Sequence, residues 1–132
     1  MENFVHKATE KLPELNFDAQ KGELFFKGTI LIPYDDAREF FKPIFDWIEE
    51  YIKNPRAETN LYLDLGHVDD ISKECIRKDI FKMFEKIHKN GNKVIVNWYY
   101  YCDKDTDEGE EAYQFYTVLD FKFIDGGGGY FD

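Results

Sequence analysis

The stretch LDLGHVDDISKECI, Leu63 to Ile76, changes its period halfway along. Leu61, Leu63 and Leu65 fall two apart, on one face of a strand. Beyond Ser72, the residues Ile76, Ile80, Met83, Phe84 and Ile87 recur at helical spacing to about Lys89, with Lys and Glu opposite. A strand therefore runs into a helix through a turn that holds Asp69, Asp70 and Ser72. A strand delivered directly into a helix is the unit from which parallel α/β sheets are built.

On either side, the elements repeat that logic. Upstream, ELNFD (14–18), the turn AQKG and ELFFKGTILI (23–32) read as a β-hairpin, with Gly22 free to take a positive φ. A helix spans about Asp36 to Lys53. It carries two apolar stripes, Phe40/Ile44/Trp47/Tyr51 and Phe41/Phe45/Ile48/Ile52, wider together than one core-facing stripe needs. Pro43 allows a later start, nearer Lys42. Downstream, Asn90-Gly91 closes the second helix. KVIVNWYYYC (93–102) then has the continuous apolar character of a central strand, and would be an aggregation hazard if left uncovered. An acidic loop (103–111), a short helix near 110–115 and a last strand in TVLDFKFI (117–124) come next. The expected order is β-β-α-β-α-β-(α)-β. It makes an α/β domain of one mixed, largely parallel sheet with packed helices over residues 1–125, and a Gly-rich flexible tail at 126–132.

Composition narrows the function. The chain has 132 residues, 43% hydrophobic and 18% aromatic, enough for one packed domain. Its formal net charge of −10 disfavours nucleic acid, which needs clustered Lys and Arg, and anionic membrane surfaces. Protein partners or small ligands remain. Cys75 and Cys102 make no disulfide framework, MENFVHKATE lacks the basic region and apolar run of a signal peptide, and no apolar run approaches membrane-spanning length. These features predict a reduced, cytoplasmic protein.

No catalytic or metal motif stands up. Asp103, Asp105 and Asp107 alternate as at the start of a calcium loop. Its sixth and twelfth positions hold Glu108 and Gln114, so the turn glycine and the bidentate glutamate are both missing. His6, His67 and His88 lack i, i+4 pairing. Neither a nucleophile elbow nor a phosphate-binding glycine loop occurs. Cys75 begins a helix, but its apolar neighbours suit a structural role. Asp64, Asp69 and Asp70 could serve a metal-binding or hydrolytic enzyme. Equally, Asp70 or Ser72 could simply cap the helix. A hydroxyl at the same place could instead carry a phosphate, whose charge would decide which partner docks.

PELNFDAQKGELFFKG, FFKPIFDWIEEYI and HKNGNKVIVNWYYYCDKDTDEGEEA resemble the SiaC family of regulatory phosphoproteins, over about Thr9 to Phe115. The architecture is also similar to STAS domains, the anti-sigma-factor-antagonist fold. The resemblance implies a non-enzymatic partner-switching protein without a cofactor. A kinase of the anti-sigma type and a 2C-type phosphatase would set its phosphorylation, and a diguanylate cyclase is the implied target. The control surface would be Val68, Asp69, Asp70, Ile71, Ser72 and Lys73. Phe41, Phe45 and Ile52 form a possible second partner-facing stripe. The family run resembles Asn-Thr-Ser-Ser before a Lys-Cys-Ile helix start. Anchored on Cys75-Ile76, it sets Asp69 at the Asn, Asp70 at the phosphorylated Thr, and Ile71 and Ser72 at the serines. Either Asp70 is a fixed mimic of the phosphorylated state, or Ser72 is the acceptor.

Overall fold

A computed structural model describes residues 1–101 and 119–126. The acidic loop at 103–111, the short helix near 110–115 and residues 127–132 of the tail lie outside the described residues.

Among the described residues, six strands form a single sheet in chain order: β1 (Phe4–His6), β2 (Glu14–Asp18), β3 (Glu23–Ile30), β4 (Glu58–Val68), β5 (Lys93–Tyr100) and β6 (Asp120–Asp125). The β1–β2 and β2–β3 pairs are antiparallel, and the β3–β4, β4–β5 and β5–β6 pairs are parallel. The sheet is therefore mixed, as the alternation of strands and helices predicts. β5 is paired on both sides, which removes the hazard of an open VIVNWYYY edge.

The hairpin turn is built by Asp18 and Gly22. Asp18 Oδ1 accepts from the N–H groups of Gln20 (2.9 Å) and Lys21 (3.1 Å), and the Gly22 N–H donates to the Asp18 carbonyl at 2.9 Å. Gly22 sits at φ 68°, and a Cβ there would stand 2.6 Å from the Glu58 carbonyl oxygen. Gly22→Ala is expected to cost about 1–3 kcal/mol through backbone strain and this clash. Urea unfolding of the two proteins checks it.

The three-residue strand β1 has no counterpart in the sequence expectations. Three residues carry too little alternation to register, and tertiary bonds hold this strand. The Trp47 indole N–H donates to the Glu2 carbonyl at 2.9 Å, Phe4 stacks on Phe17 at 5.4 Å, and His6 Nδ1 meets the Pro13 carbonyl at 2.8 Å.

Helix α1 covers Tyr34–Ile52, with Asp35 and Asp36 in its first turn, where negative charge suits the dipole. It runs on through Pro43, so the later start near Lys42 is overturned. Pro43 and Glu39 both lie on the solvent side, where water can satisfy the carbonyl that the proline leaves without a donor. One face, Ala37, Phe41, Ile44, Trp47, Ile48 and Tyr51, is buried against the sheet. This face cuts across both stripes seen in the sequence. Phe41 is fully buried, while Phe45 and Ile52 are half-buried against the same core. The stripe Phe41/Phe45/Ile52 is thus not an open partner-facing surface. Its members lie on the flank and face of a helix whose 3.6-residue period turns them toward the sheet.

The second helix runs from Asp70 to Lys89 in three stretches: α2 (Asp70–Glu74), a π-helical turn (Cys75–Ile80) and α3 (Phe81–Lys89). Its buried residues explain the π turn. Ser72, Ile76, Ile80 and Phe84 are buried at a spacing of four, and Ile87 extends the row. In a pure α-helix a spacing of four drifts ~40° per step around the axis. The wider turn takes up that drift and keeps the row on the core.

Both long helices share one core with Leu15, Phe17, Leu24, Phe26, Leu61, Leu63, Val94 and Val96. Their cross-strand neighbours run in register across the sheet, Phe17–Leu24–Leu61–Val96 in one row. The strand-to-helix turn after β4 is held at the end of this layer.

Candidate functional site: the loop between β4 and α2

β4 ends beside β3 with a local irregularity. Gly28 pairs with Leu65, but Thr29 pairs with His67, so Gly66 is an extra residue in β4. A bulge of this kind bends the strand and re-aims the residues beyond it. Val68 still pairs with Ile30 and packs against the core. The chain then turns at Asp69.

Asp69 is the residue that makes the turn. Its Oδ1 accepts from the Ser72 N–H at 2.8 Å, which caps the helix, and its Oδ2 accepts from the Ile32 N–H at 2.6 Å. Its own N–H donates to the Ile30 carbonyl at 2.9 Å, and its carbonyl accepts from the Lys73 N–H at 3.0 Å. The cap is therefore Asp69, not Asp70 or Ser72. The sequence alone does not separate three capping residues within four positions. The deciding factor is the β3–α1 link, which brings the Ile32 N–H to the same carboxylate. Both oxygens of Asp69 are committed to backbone donors.

Ser72 faces inward. It has no accessible surface, and its hydroxyl has no hydrogen-bond partner among the described residues. Burying a hydroxyl without a partner costs about 1–3 kcal/mol. Ser72→Ala is expected to raise stability by about 1 kcal/mol, seen as a higher denaturation midpoint at unchanged slope. Ile71 and Lys73 are half-buried. Asp70, in the first turn of α2, is the one exposed residue in Val68–Lys73.

Asp64 does not join this group. It alternates with the core residue Leu63 on β4, and its carboxylate takes the Tyr101 hydroxyl. Among the described residues, no three His, Cys, Asp or Glu side chains gather so as to hold a metal ion. Cys75 begins the π turn half-buried, and burial, with Asp79, Asp69 and Glu74 nearby, pushes its thiol pKa up. This is the opposite of the activation that a helix start can give, and a protonated thiol is a poor nucleophile. Among the described residues, no helix is long and apolar enough to cross a membrane.

The described residues thus form a mixed sheet packed with helices, with a tightly capped strand-to-helix loop in which Asp70 is the exposed residue. Comparison with known families gives this form its family. The family model described as "SiaC family regulatory phosphoprotein" matches residues 6–125, and the chain belongs to that family. Solved structures agree on the fold. Apo-SiaC from Pseudomonas aeruginosa superposes with a TM-score of 0.81 at 23% identity, over 94% of this chain and 99% of that one. A chain in the crystal structure of the diguanylate cyclase SiaD in complex with its activator SiaC, also from Pseudomonas aeruginosa, superposes with a TM-score of 0.82. It shares 22% identity over 92% of this chain and 98% of that one. No curated protein matches the chain.

Proposed function

We propose that this chain is a non-enzymatic, cytoplasmic partner-switching protein whose control surface is the loop Val68–Lys73. Residues 1–125 act as its single domain. The partner class we assign is a diguanylate cyclase, by analogy with the complex of SiaD and its activator SiaC. A kinase of the anti-sigma type and a 2C-type phosphatase belong to the same scheme where a hydroxyl is available.

One observation carries this reading: of Asp69, Asp70 and Ser72, only Asp70 is exposed. Asp69 is used up by two backbone N–H groups and Ser72 is buried. A kinase needs an exposed hydroxyl, so Ser72 is a poor acceptor in this conformation. Asp70 instead supplies a permanent negative charge at the helix start, where the dipole favours it. It carries one charge, where a phosphate would carry about 1.5 to 2. The switch is thereby held near one setting, and the partner reads a fixed surface.

The test is an intact mass and phosphopeptide map of the protein purified from its host. No phosphate on Val68–Lys73 is expected. Phosphate on Ser72 would overturn the assignment of Asp70 and would require the α2 start to open.

A further inference from the structure

An open groove lies next to the switch loop, between the turn at Thr9–Leu12, the β3–α1 link and the first turns of α1. Leu12, Leu31, Ile32 and Phe40 supply its apolar lining, and Leu31 is 44% exposed. Its charged lining is Glu10, Asp36 and Glu39 against Lys11. We propose that this groove is a docking site for a basic segment of a protein partner, anchored by an apolar side chain and flanked by Lys or Arg. The proposal rests on the reading that the chain works by binding proteins, and it locates a second contact for that binding.

Three features choose this occupant. The first is shape. The groove has a volume of about 540 Å³, within the ~300–1,000 Å³ of binding clefts, but it is largely open to solvent. An open trough suits a chain segment better than an enclosed small molecule. The second is charge. Glu10, Asp36 and Glu39 are all exposed, none forms an ion pair among the described residues, and the whole chain carries −10. An anionic ligand is repelled there, whereas a cationic segment is attracted before contact. The third is the state of the backbone. The Leu31 N–H donates to the Lys11 carbonyl at 2.8 Å, and the Ile32 N–H donates to Asp69 at 2.6 Å. The link cannot add a strand through these donors, so recognition falls to side chains: an apolar anchor in the groove and cations at its rim.

The same Ile32–Asp69 bond ties the groove to the switch loop. A segment that moves Ile32 pulls on the carboxylate that caps α2. Docking in the groove and the setting of the loop therefore share one hydrogen bond, and each biases the other.

The experiment uses the full chain. A random peptide display library is panned on the wild type, and the selected peptides are titrated by fluorescence polarisation. The expected peptides carry an apolar residue flanked by Lys or Arg. They bind about tenfold more weakly to Glu10→Lys/Glu39→Lys and to Leu31→Asp. Their affinity also falls severalfold on going from low to moderate salt, as screening of exposed charges requires. Circular dichroism melts confirm that the variants fold. Peptides without basic residues, peptides that bind the charge-reversed protein equally well, or no enrichment at all would each overturn the proposal. None of these outcomes touches the switch-loop assignment, which is read from phosphate and not from peptide binding.

Discussion

Asp70→Thr is expected to take a single phosphate on the loop Val68–Lys73, where the proposed function expects none in the wild type. The substitution puts a hydroxyl at the one exposed position of Val68–Lys73, without touching the core. The Asp69 cap is left in place, since its bonds go to the N–H groups of Ser72 and Ile32 and not to the Asp70 side chain. The local backbone therefore stays as it is, and the helix start welcomes the added charge. The folding cost is small, within about 0.5 kcal/mol for an exposed helix residue. The readout is intact mass after incubation with an anti-sigma-type kinase that phosphorylates a SiaC-family protein. A mass gain in Asp70→Thr but none in Asp70→Ala is the expected pair. A gain in Asp70→Ala as well would place the acceptor elsewhere, at Ser72 first of all.

Asp69→Ala is expected to be the most damaging single change in the loop. It removes the cap on Ser72 N–H and the partner of Ile32 N–H at once. Loss of a cap costs about 1 kcal/mol, and an abandoned, partly buried N–H costs about 1–3 more. Together the loss is about 2–4 kcal/mol, with a Tm lowered by on the order of 10 °C. The damage is directional. Hydrogen exchange is expected to rise first at Ile32 and over Asp70–Glu74, while Leu24, Phe26, Leu61 and Val96 keep their protection. Asp69→Asn is the milder case. An amide can still accept from Ser72 N–H, but its NH₂ then meets the Ile32 N–H donor to donor, so one of the two bonds is lost. About half the destabilisation of Asp69→Ala is expected.

The parts of this molecule that are legible in the sequence are those whose pattern is long. β3, β4 and β5 show their period or their continuous apolar run, and both helices show an apolar face. β1 escapes because its three residues are held by pairing with β2, by Phe4 on Phe17 and by His6 at the Pro13 carbonyl, with Trp47 tying down Glu2 just before it, and none of these partners is adjacent in sequence. The spacing of four through Ser72, Ile76, Ile80 and Phe84 is visible, but it becomes a π turn only because all four positions must meet the same core. Phe41 shows the same limit from the other side. Two apolar stripes on α1 cannot say which residues face the sheet, and the buried face draws from both. At the site, residue types place the loop but not the division of labour within it. That Asp69 is structural and Asp70 exposed depends on Ile32, which is far from both in sequence and reaches the loop only when β3 and β4 pair.

The groove beside the loop is invisible to pattern reading for the same reason. Leu12, Ile32 and Phe40 belong to three segments, and only the fold makes them neighbours. The acidic excess of the chain is plain from composition. Its placement around an apolar trough is not.

If the exposed charge of Asp70 governs binding to a protein partner, changing that charge must change affinity. The decisive comparison is the affinity of a diguanylate cyclase from the same host for the wild type, Asp70→Asn and Asp70→Lys, by calorimetry at fixed ionic strength. Binding of the wild type that changes by about tenfold or more on neutralising Asp70, and further in the same direction on reversing it, is the predicted result. Equal affinities for all three proteins, or no binding of any host cyclase, would contradict it.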